Sequence, residues 1–135
     1  MDRLDLKFLI IGAAMFMLGI SLGIFMAITH DYQLAPVHAH TNLIGFVSLS
    51  LFGIVYKIYP ELQKRRLAKA HFLLSAPAAI AFPPGIVMAA LWQQPVVAII
   101  ASLMWFAGAL LFLIQLFGLA VRPAETLSPA LAPAE

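Results

Sequence analysis

Four histidines stand out in a chain with few groups able to do chemistry: His30, His38 and His40 within eleven positions, and His71 further on. Neutral imidazole is the commonest protein ligand for transition metals and a usual ligand for haem iron, and a helix bundle can hold such a group between facing helices. The 135 residues include no cysteine, which excludes disulfides, iron–sulfur clusters and thiolate zinc sites. A metal would have to be held by His, Met, Asp or Glu. The six methionines include Met15, Met17, Met26, Met88 and Met104, and scattered thioethers of this kind serve mainly as packing filler. No residue pattern suggests a nucleophile with its base, and no glycine-rich phosphate loop occurs.

The elements that carry these imidazoles follow from composition. Hydrophobic residues make up 63% of the chain and charged residues 10%, against about 25% charged in a soluble domain. A spanning helix needs roughly 20 apolar residues, and four such runs can be placed at about 6–29, 37–59, 70–92 and 96–121. The expected fold is therefore all-α, an integral membrane four-helix bundle over residues 1–121 in contact with the lipid bilayer. The tail, 122–135, is rich in Pro and Ala and is expected to be disordered. The first run is longer than the apolar core of a signal peptide, about 7–15 residues, and is expected to be retained.

Several local signals refine this map. Gly12, Gly19 and Gly23 fall on one helical face, and Gly19 with Gly23 makes a GxxxG pair at which a second helix can approach closely. Pro36 suits the first turn of the second helix. Pro77, Pro83 and Pro84 should kink or break the third. Tyr56 and Tyr59 are placed as an interfacial belt would be. The eight basic residues are Arg3, Lys7, Lys57, Lys64, Arg65, Arg66, Lys69 and Arg122, and all fall on one side of the four-span map. The positive-inside bias then puts both termini and the middle loop in the cytoplasm of a bacterial inner membrane. With a formal charge of only +2 and the cations beside apolar runs, no nucleic-acid partner is expected.

On that map His30, His38 and His40 lie at the outer boundary and His71 at the inner one, about a membrane thickness away, where a headgroup-level role is expected for it. His38 and His40 are two positions apart, and at about 100° per residue they point roughly 200° apart. One regular helix cannot offer both to a single haem. His40 shares its face with Leu43, Ile44, Val47, Leu51 and Ile54, an apolar wall against which a porphyrin could lie. His38 shares its face with Thr41, Asn42, Gly45 and Ser48, which suits a hydrogen bond across a helix contact. Were the segment unwound, His38 and His40 could join His30 and Asp31 in a copper, nickel or zinc site. The plain alternative for any one of these histidines is an interfacial side chain bonded to water or backbone.

The run 34–46, with His38, His40, Thr41 and Asn42, and its continuation through Gly53, Tyr56 and Pro60, resembles the second transmembrane helix of subunit I of the haem-copper oxidases. The likeness is nearest to nitric oxide reductases and cbb-type oxidases, and it covers mainly residues 34–60. The resemblance implies haem b ligation by His40, with His38 as the local alternative, near the outer end of the helix. It implies a small stand-alone protein similar to the first helices of that subunit, in electron transfer or gas binding. The arginine common shortly before the family's ligand has no counterpart, Ala35 standing in that region. The helices that bear the family's remaining haem and copper ligands are missing too, so reduction of oxygen or nitric oxide by this chain alone is not expected. The second axial ligand would come from His30, His38 or another protomer of a homo-oligomer, with quinol, a cytochrome or respiratory-complex subunits as partners. A cofactor-free assembly or scaffolding subunit of a respiratory complex and a His-based transition-metal protein are the competing readings.

Overall fold

The computed structural model describes residues 3–121, so the expectation for the tail lies outside the described residues. Helix α1 spans Leu4–Thr29, α2 spans Ala35–Ile58, the single-turn α3 covers Pro60–Gln63, α4 spans Arg66–Trp92 and α5 spans Val96–Ala120. The four long helices are each long and apolar enough to cross a membrane, and among the described residues there is no strand. The chain is an all-helical, multi-pass membrane protein.

The ends of the helices have local causes. Asp5 in the first turn of α1 complements the positive end of the helix dipole. Both α1 and α4 stop at a residue in the left-handed region, His30 at φ 53° and Gln93 at φ 56°, a position more often filled by glycine. His30 is thus a backbone terminator with its side chain exposed. Pro36 occupies the first turn of α2 as its fixed φ favours. Helix α4 remains continuous through Pro77, Pro83 and Pro84, so of the kink or break expected there the break does not occur. The prolines remove amide donors, yet packing on α2 and α5 holds the backbone in the helical region.

Helix α2 departs from regularity elsewhere, because residues Thr41–Ser48 form a π-helical stretch. Three polar side chains bond back onto its backbone: Thr41 Oγ1 donates to the Val37 carbonyl at 2.7 Å, Asn42 Nδ2 to the His38 carbonyl at 2.9 Å and Ser48 Oγ to the Leu43 carbonyl at 2.8 Å. The last spans five residues, the period of a π turn. Such stretches are uncommon and concentrate at functional sites.

Packing builds two helical hairpins, α1 with α2 and α4 with α5, joined by the connection through α3. The α1–α2 seam uses the glycine face: a Cβ on Gly12 would meet Ser50 Oγ at 2.8 Å, one on Gly19 the Asn42 amide at 2.5 Å, and one on Gly23 His38 Cε1 at 2.9 Å. On α2, Gly45 receives Met15 and Gly53 lies over the Asp5 carbonyl. In the second hairpin, Gly85 lets α4 approach the backbone of Ala98. Between the hairpins a core forms from Phe8, Leu49, Phe52, Tyr56, Leu62, Ala79 and Phe112. Ile10, Ile28, Leu103 and Phe106 point outward and exposed, as lipid-facing side chains would.

Candidate functional site

At one end of the bundle, Gln63 ties helix termini together. Its Nε2 donates to the Tyr56 carbonyl at 2.9 Å, and its Oε1 accepts from the Asp5 amide at 3.4 Å. Asp5 is 2% exposed, and Arg3 grips its carboxylate through two bonds of 3.1 and 3.0 Å. That pairing raises the Arg3 pKa above its ordinary value, by hydrogen bonding first and charge attraction second. Lys7 Nζ sits 5.9 Å from the centre of the Phe72 ring, and Arg65 reaches Gly118 on α5. Arg3, Lys7 and Arg65 therefore lie at a single end of the described bundle.

The outer-boundary histidines diverge. His38 turns into the α1–α2 seam, where its Nδ1–H donates to the Gly19 carbonyl at 2.9 Å, the cross-helix contact its small polar face implied. His40 turns toward α4, its ring stacked on Phe82 at 5.1 Å. Its Nδ1–H donates to the Pro36 carbonyl at 2.7 Å. Because Nδ1 carries the proton, the Nε2 lone pair of each imidazole is free, the arrangement in which histidines that ligate metals are held by a backbone carbonyl. The two rings face different neighbours, His38 in the α1–α2 seam and His40 against α4. Among the described residues no three of His, Asp or Glu gather closely enough to hold a metal ion, so the chain by itself does not assemble the His30, Asp31, His38 and His40 set.

Below His40, Leu43, Val47, Leu51 and Ile54 are each about half exposed or more. Four of the five wall residues thus face outward, while Ile44 is partly buried and packs against the core. This surface offers an imidazole Nε2, the Phe82 ring beside it and an aliphatic wall, the groups that would face one side of a porphyrin.

His71 occupies a different environment from the expected headgroup level. Helix α4 begins at Arg66, earlier than the sequence map placed it, which carries His71 a turn and more into the bundle. It is fully buried among Phe8, Phe52 and Phe112, with ring centres 5.1, 4.6 and 5.3 Å away. Tyr56, expected in an interfacial belt, is fully buried as well. Its hydroxyl lies 2.8 Å from His71 Nδ1, and Gln115 Nε2 donates to that hydroxyl at 3.1 Å. The same hydroxyl lies 3.4 Å from Gln115 Oε1, so its proton can go to Gln115 or to Nδ1, and the His71 tautomer decides which. His71 Nε2 and Ser75 Oγ, one turn apart on α4, have no protein partner among the described residues. Ser75 Oγ presses against Gly108 of α5.

Gln115 and Ser75 were missed in the sequence. The signal for Gln115 was present: it is the strongest polar side chain inside the last apolar run, and polar groups at membrane depth are costly without partners. Ser75 carries no such signal, since isolated serines are common on membrane helices and bond their own backbone, as Ser21 and Ser102 do.

No protein-family model, curated protein or solved structure matches this chain.

Proposed function

We propose that the chain is a haem b-binding protein of a bacterial inner membrane, with both termini in the cytoplasm, serving one-electron transfer or gas binding. The observation that carries the reading is His40: its Nδ1–H is held by the Pro36 carbonyl at 2.7 Å, leaving Nε2 free beside Phe82 and above an outward-facing apolar wall. His40 would supply one axial ligand, Phe82 would fix the plane of the imidazole, and Leu43, Val47 and Leu51 would lie against the porphyrin face and keep water from it. The haem would supply a one-electron couple, or a gas-binding position where one axial site stays open. The exposed wall favours a second copy of the chain as the cover, because symmetric pairing brings an equivalent imidazole to the opposite side.

The test is a reduced-minus-oxidised optical spectrum with iron analysis on protein purified in detergent. A Soret band that His40→Ala removes, while helicity and thermal midpoint stay near those of the parent, is the expected result. Well-ordered, colourless and iron-free protein would end the proposal and point to a cofactor-free assembly subunit. Stoichiometric copper, nickel or zinc without iron would instead select the metal-ion reading.

A further inference from the structure

A cavity of about 310 Å³ opens between α1, α2 and α4, separate from the buried Tyr56 cluster. Its walls are Met15, Leu18, Val37, Ile80 and Pro84 with their neighbours, and Thr41 is the single polar side chain among its lining residues. Thr41 is 3% exposed. Its hydroxyl proton is committed to the Val37 carbonyl at 2.7 Å, so toward the cavity it can only accept.

A second acceptor follows from covalent structure. Pro84 has no amide hydrogen, so the Ile80 carbonyl, one turn before it, lacks the partner that a regular helix would give it. Ile80 and Pro84 both line the cavity, so the carbonyl that lost its helical partner belongs to a lining residue. Within lipid a bare carbonyl is costly. The lining is therefore an apolar box whose polar groups accept and none of which donates. Its volume falls at the small end of the range for ligand sites, about 300–1,000 Å³.

We propose that this cavity binds an apolar molecule with a single hydrogen-bond-donating hydroxyl, the hydroxyl placed between Thr41 Oγ1 and the Ile80 carbonyl. An acyl chain without a donor would fill the volume and leave both acceptors unanswered. The proposal does not depend on haem.

The experiment uses the full chain in detergent with 4-nonylphenol, its methyl ether and 1-decanol as probes, and the thermal midpoint against concentration as readout. The methyl ether keeps the shape and loses the donor. The phenol is expected to bind about tenfold more tightly than the ether, the ratio that one net hydrogen bond supplies. Thr41→Val, which leaves the Ile80 carbonyl in place, should weaken binding of the phenol and leave that of the ether unchanged, and Ile80→Phe, which fills the cavity from an exposed helix position, should remove both. Decanol binding as tightly as the phenol assigns a chain hydroxyl, and weaker binding assigns an aromatic one. Equal affinity for phenol and ether in the unaltered chain overturns the proposal without recourse to any variant. Phenol binding unchanged in Ile80→Phe overturns it as well.

Discussion

The Tyr56 hydroxyl joins two partners on different helices, His71 Nδ1 on α4 and the Gln115 carboxamide on α5. Interhelical hydrogen bonds within membranes are worth about 0.6 kcal/mol on average and up to about 1.7. Tyr56→Phe, which removes both bonds and keeps the ring, should therefore destabilise the fold by about 1–2 kcal/mol, read by unfolding in mixed detergent micelles. Combining it with Gln115→Leu should cost less than the sum of the single changes, because the two side chains belong to one network. Additive costs would mean that the bonds contribute separately. The cluster was only half legible in the sequence. His71 and Gln115 are conspicuous as polar groups in apolar runs, yet their meeting depends on where α4 begins, and four residues of difference separate a headgroup position from a buried one. His40 was legible as a side chain on an apolar face, whereas the carbonyl that orients it became visible only with the first turn of α2 in place.

Among the helices, closeness of approach differs from seam to seam. A Cβ on Gly85 would meet backbone atoms of Ala98 at 2.7 and 3.0 Å, and backbone cannot yield as a side-chain tip can. Gly85→Ala should force α4 from α5 and cost about 1–3 kcal/mol, as overpacking does. Gly118→Ala meets only the end of the Arg65 side chain at 3.1 Å and should be close to neutral in the same unfolding assay. Equal costs at the two positions would refute this account of the seam. The four spans were readable from the sequence because hydrophobic length is a coarse property that tolerates small errors at the ends. The glycine face of α1 was readable for a similar reason, its spacing surviving any choice of boundary. The π stretch of α2 was not readable, since Thr41, Asn42 and Ser48 reveal their back-bonding only once the chain around them is helical. The continuity of α4 through three prolines also escaped local reasoning, because neighbouring helices decide it.

For the molecule as a whole, the gathering of Arg3, Lys7, Lys57, Arg65 and their neighbours at one end makes orientation testable. The native chain has no cysteine, so single substitutions report without background. In intact cells, a membrane-impermeant maleimide should label Gln33→Cys and should reach Lys64→Cys only after the membrane is opened. The reverse pattern would invert the assignment of cytoplasmic termini. The two-hairpin plan also bears on how the molecule is made. His71 and Gln115 lie on the second hairpin, and the phenol that satisfies both lies on the first. Only when the two pairs meet in one rotational setting does that hydroxyl reach both the imidazole and the carboxamide, so a single phenol keys one hairpin to the other.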